Sequence, residues 1–246
     1  MFLLTSLLAC LILSLFMPCL GQKVLARRIV FIDLALAQIA ATGYAIGLAT
    51  DSSGPMWAGG VTLVCVFILA GLPHASKLPK EAVMAAAYAV AAATGMILLS
   101  SLPHAEGHMS DLMFGILLGA DWSDLIVLAV AGVAAVSILH FAGNDTYLQR
   151  LLFYLALAVA VVPAIHALGI ILVFGMLLLP ALMVWRGDTN GPLWQAVVVA
   201  LLGSVAGVLC AEFFDLPPSS SVVLAIFLCG LPVLMWRYYR HDGLIR

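Results

Sequence analysis

Residues 27–43 read RRIVFIDLALAQIAATG and place a carboxylate, Asp33, and an amide, Gln38, inside an otherwise apolar run. A carboxylate can hold a divalent cation, while an amide oxygen is the weaker partner for transition metals. On a helix the two would lie about 140° apart around the axis and about 7–8 Å apart along it, so they share no stripe. Each could equally hydrogen-bond a neighbouring helix. A second polar group is the stretch LPHAEGHMSD (102–111), with His104, Glu106, His108 and Asp111 close together. Histidine and carboxylate at short spacing can gather a divalent cation at a pore mouth, and a plain solvated loop is the alternative. His166 stands alone between two apolar runs, as a cation ligand or as a packing histidine. Glu212 and Asp215 follow an apolar run, where a helix end meets water or an external protein docks. Asp121 and Asp124 invite the same two readings, helix capping being the simpler.

The elements that must position these groups are set by composition. Of 246 residues, 65% are hydrophobic and 9% charged, and mean hydropathy is +1.19. Soluble domains carry about 25% charged residues, so this chain belongs in a bilayer. About 20 apolar residues span the hydrocarbon core. Such runs fall at 2–20, 30–50, 57–72, 81–101, 124–141, 151–165, 168–185, 193–213 and 219–236. The expectation is an all-α, polytopic bundle of eight or nine helices, forming a single transmembrane domain over 1–246. The first run lacks a basic n-region and a small-x-small cleavage site, so it reads as a membrane helix and not a signal peptide. The spans at 151–165 and 168–185 read as a tight hairpin or a broken helix. The piece 112–124 is too short to cross and reads as a re-entrant half-helix. Pro180 predicts a kink. Cys10, Cys19, Cys65, Cys210 and Cys229 have no paired spacing and read as small interface hydrophobes.

Counted through these crossings, Lys23, Arg27, Arg28, Lys77, Lys80, Arg150, Arg186, Arg237, Arg240 and Arg246 all fall on one side. The opposite loops hold acids and histidines but no Lys or Arg. The positive-inside rule then puts the N-terminus outside and the C-terminus in the cytoplasm.

Four stretches resemble one family. RRIVFIDLALAQIAATG is similar to the second-helix signature of the metal-type ABC permeases, the zinc, manganese and iron class of importers. LMFGILLG (112–119) matches that family's Leu-Phe-Gly-x-x-Leu. HALGIILVFGMLLLPALMVWR (166–186) resembles its Val-Gly-x-Leu-Leu-Val…Leu-Leu-x-Pro-Ala segment. GSVAGVLCAEFFDLPPSSSVVLAIFLCGL (203–231) resembles its closing helix pair. The four occur in the family's order over most of the chain. There are departures: the family's histidine position holds Gln38, and its aspartate position holds Leu34, with Asp33 one place earlier. The family's cytoplasmic coupling helix is reduced to FAGNDTYLQR (141–150), where Asp145 and Arg150 remain as contacts for a partner.

The resemblance implies a permease subunit of an ABC-type importer of divalent cations, in the cytoplasmic membrane of a bacterium. Asp33, Gln38 and His166, with His104, Glu106 and His108 at the mouth, are its candidate metal contacts; Asp145, Arg150, Glu212 and Asp215 are its candidate partner contacts. The implied partners are a separate ATPase subunit, an external solute-binding protein, a second permease chain and membrane lipid, with no nucleic acid. No cofactor is expected beyond the transported metal. The chain has no G-x-x-x-x-G-K-[ST] loop, so ATP must be hydrolysed by another polypeptide. The alternatives are an uncoupled channel or membrane binding subunit, and an intramembrane enzyme. Against the enzyme, no H-E-x-x-H, G-x-S-x-G or paired-aspartate arrangement occurs.

Overall fold

The computed structural model describes residues 2–71, 79–100, 121–142, 146–186 and 191–242. Among them lie nine helices: α1 (Phe2–Ala26), α2 (Ile32–Ala49), α3 (Gly54–Gly71), α4 (Lys80–Ser100), α5 (Trp122–Phe141), α6 (Tyr147–Leu168), α7 (Ile170–Met183), α8 (Leu193–Phe214) and α9 (Pro218–Asp242). Eight are long and apolar enough to cross a membrane; α7, with 14 residues, is shorter. At 1.5 Å per residue α7 covers about 21 Å of a core about 30 Å thick.

Three boundaries move from the sequence expectation. α1 continues past Leu20 to Ala26, α6 starts at Tyr147, and α9 runs on to Asp242. Polar residues at a helix end need not stop the helix, because the last turns can stand among headgroups or neighbouring helix ends. The break between α6 and α7 is a single residue, Gly169, at φ 84° and ψ 159°. The two helices pack chiefly on other partners, α6 on α2, α3 and α5 and α7 on α1 and α9, so they do not form a zipped hairpin. Of the segment 112–124, residues 122–124 belong to α5 and 112–120 lie outside the described residues.

Packing divides the bundle around α6. On one side α2 holds α3 and α4; on the other α1 holds α5, α7 and α8, and α9 closes over α7 and α8. α7 is apolar on every face and almost wholly enclosed, with Leu182 its one exposed residue. Both sequence-adjacent hairpins with the closest approach carry a Gly-x-x-x-Gly pair. In α2, Gly43 faces the Trp57 carbonyl and Ala58, and Gly47 faces Gly54; in α8, Gly203 faces Ile226 and Gly207 faces Val222. A Cβ at any of these would enter the opposing helix, which is how small residues let membrane helices meet without a hydrophobic driving force. Buried hydroxyls add polar links: Ser14 and Ser204 share a hydrogen bond of 3.0 Å between α1 and α8.

Helix ends collect at two levels. At one end, Gln22 Nε2 donates to Gly191 O at 3.0 Å, Lys23 Nζ to Leu139 O at 3.4 Å, and Arg27 lies over the Phe153 ring. That end carries the described basic residues. At the other, Tyr44 meets His166, and Ser219 donates to Leu168 O.

Candidate functional site

Asp33 is positioned by the turn that closes α1. Arg28 adopts the left-handed conformation, at φ 54°. Arg28 N–H reaches Leu25 O at 3.0 Å and Ile29 N–H reaches Val24 O at 3.4 Å. That is the double bond of a Schellman stop, sealed by buried Ile29. α2 starts after a connection of five residues, and Asp33 falls in its first turn. There the unpaired amides favour an anion, by about 0.3–1 kcal/mol at exposed sites. The carboxylate is nonetheless only 2% exposed, and its Oδ1 has no hydrogen-bond partner. Buried polar atoms are rarely left so.

Gln38 lies on the next turns of α2 and is half-buried. Its backbone carbonyl accepts the Thr42 hydroxyl at 2.7 Å, and the same hydroxyl lies 2.7 Å from Ala91 O of α4. One proton serves both, so Thr42 pins α4 to α2 next to Gln38.

His166 stands in the last turn of α6, exposed, its ring edge-on to Tyr44 with centroids 5.6 Å apart. Both line a cavity of about 340 Å³ between α2, α3, α5 and α6, together with Asp124. Small side chains open it: Ala40, Ala41 and Ala58 form much of the wall. Asp124 also closes a capping box at the start of α5, accepting the Asp121 N–H at 3.0 Å, so the capping reading of this pair holds.

The candidate cation contacts therefore stand at three levels. Tyr44, which His166 touches, is eleven residues beyond Asp33 on α2, about 16 Å along the axis. Asp33 and His166 cannot share one ion. Among the described residues no three His, Cys, Asp or Glu side chains come together as a metal-holding group. His104, Glu106, His108, Asp111 and Asp145 lie outside the described residues. Arg150 is half-buried in the first turn of α6. Glu212 is exposed in the last turn of α8, and Asp215 caps that helix in the left-handed conformation, at φ 51°. Sequence reasoning missed Tyr44 and the cavity, because nothing in the chain signals that α3 and α5 leave a gap over α6.

The geometry so far defines a polytopic helical membrane protein with a buried carboxylate inside its bundle. Residues 1–237 match the model of the ABC 3 transport family, and the chain belongs to that family. It is 26% identical to the "Probable metal transport system membrane protein" of Chlamydia trachomatis, covering 89% of this chain and 84% of that one. It is 23% identical to the high-affinity zinc uptake system membrane protein ZnuB of Buchnera aphidicola, covering 94% and 97%. Its fold matches PsaBC from Streptococcus pneumoniae, solved in complex with a Fab, at a TM-score of 0.76 and 17% identity, covering 94% of this chain and 90% of that chain.

Proposed function

We propose that the chain is the membrane-spanning subunit of an ABC-type importer that moves divalent metal cations, zinc, manganese or iron, while a separate ATPase subunit supplies the energy. The observation that carries the cargo class is Asp33, a carboxylate 2% exposed with an unpartnered oxygen inside a membrane bundle. Asp33 stands in the first turn of α2, where a charge costs less than at mid-bilayer (about 2.5–3.5 kcal/mol), but ionisable residues enclosed in membrane bundles mark ion or substrate pathways. The names of the relatives from Chlamydia trachomatis and Buchnera aphidicola, a metal transporter and a zinc uptake protein, support the same class.

In this reading the basic end faces the cytoplasm, by the positive-inside rule. An external binding protein docks at the opposite end, near Glu212, Asp215 and the segment holding His104, Glu106 and His108. The cation passes His166, then Gln38 and Asp33, along a path completed by a second permease chain. The ATPase meets the cytoplasmic end around Asp145 and Arg150. A second reading, a channel or binding subunit without an ATPase, draws on one observation: only residues 142–146 separate α5 from α6, leaving little for an ATPase to grip.

Purification in mild detergent from the native host, with metal content read on the same sample, tests both. The expected result is a co-purifying ATPase whose hydrolysis depends on this chain, and bound zinc, manganese or iron that Asp33→Ala loses. A chain that purifies alone and metal-free supports the uncoupled reading.

A further inference from the structure

We propose that the cavity between α3 and α5 is a divalent-cation waypoint inside a single chain, with His166 and Asp124 as its protein ligands; the inference rests on the metal-importer reading above. α3 and α5 each pack on α6 but form no extended contact with one another, and the gap between them is the cavity of about 340 Å³. Its walls are mostly apolar, with Ala40, Ala41 and Ala58 among them, and its polar groups are Tyr44, Asp124 and His166. An imidazole nitrogen with a carboxylate oxygen is a donor set for zinc, manganese or iron. The apolar walls limit water on one side, while the exposed His166 and half-buried Asp124 leave the site open to an arriving ion.

Both ligands are held in place before any ion arrives. The Asp121 N–H at 3.0 Å fixes Asp124 Oδ2, and a carboxylate has lone pairs to spare for a cation. Tyr44, edge-on to the imidazole, limits its rotation and acts as a positioning residue. No third His, Cys, Asp or Glu joins them among the described residues, so the ion keeps waters on its remaining positions. The cavity has room for them, at about 30 Å³ each. Two protein ligands and exchangeable water suit an ion that stops briefly and moves on, whereas closed storage sites use four protein ligands. The site lies at the end of the bundle opposite the basic residues, about 16 Å along α2 from Asp33.

Zinc titration calorimetry on the purified full chain in detergent tests this. The expected result is a binding event weakened at least about tenfold by His166→Asn and by Asp124→Asn, as loss of a direct ligand should exceed the tenfold cost of losing an outer one. Asparagine at 124 can still accept the Asp121 N–H, so helix α5 stays capped. His140→Asn, at the other end of α5, should change nothing. Unaltered zinc binding in monodisperse His166→Asn overturns the proposal, as does binding lost only on replacing His104 and His108. Zinc uptake with the ATPase subunit in vesicles separates the two ideas. Uptake without a His166-dependent binding event sinks the waypoint alone, and absence of any divalent uptake sinks the importer reading beneath it.

Discussion

The Arg27 guanidinium lies 3.6 Å from the centroid of the Phe153 ring and so clamps the end of α1 to the start of α6. With Gln22 on Gly191 and Lys23 on Leu139, three polar groups at the end of α1 reach the end of α5, the start of α6 and the residue pair before α8. Burial pulls the Arg27 pKa below the usual arginine value, and the neighbouring Tyr154 acts in the opposite direction.

Arg27→Met should cost about 0.5–2 kcal/mol through the lost cation–π contact. Phe153→Ala should cost more, about 3–5 kcal/mol, because Phe153 is fully buried and its removal leaves a cavity. Thermal unfolding in detergent, followed by monodisperse fraction, reads both. No loss in Arg27→Met beside a full loss in Phe153→Ala would show that the ring acts only as filling and that the cation contributes nothing.

Gly207→Val should be among the most damaging single changes. Its new side chain would strike the backbone at Val222, and backbone cannot swing aside as a side-chain tip can. Overpacking of this kind costs about 1–3 kcal/mol or more. Gly59→Val is the control, since nothing lies within 4 Å of its added Cβ. Similar expression and melting of the two variants would contradict the helix contact between α8 and α9.

Thr42→Val keeps shape and removes the hydroxyl that links α2 to Ala91 of α4. Interhelical hydrogen bonds in membranes average about 0.6 kcal/mol and reach about 1.7. The expected loss is therefore small, but α4 packs principally on α2, so proteolysis between α3 and α4 should quicken in this variant. An unchanged cleavage rate would mean that apolar contact alone holds α4.

For transport, Asp33→Asn keeps size and removes the charge, and metal-stimulated ATP hydrolysis with the partner subunit should fall with it. Gln38→His should raise zinc affinity over the parent, because imidazole is a better transition-metal ligand than an amide. The paired assay is metal content after purification. If Asp33→Asn transports normally, the carboxylate is a packing group and the cation path runs elsewhere.

Hydropathy and charge placement were enough to read eight of the crossings, the alternation of ends and the collection of basic residues at one end. Each of these depends on solvent, and the cost of leaving water or entering lipid is carried residue by residue in the chain. Capping of α5 by Asp121 and Asp124 was legible for the same reason, as a bond between near neighbours. The continuation of α1 past Leu20 to Ala26 was not legible, because neighbouring helices decide whether a membrane helix stops. The break near Gly169 was legible as a tight hairpin or a broken helix, and contacts with other helices decided between the two. Only tertiary structure placed Tyr44, Asp124 and His166 around one cavity. Those relations depend on which helices touch, and in lipid that choice turns on shape, such as Gly43 against Ala58 and Gly207 against Val222, and not on polarity.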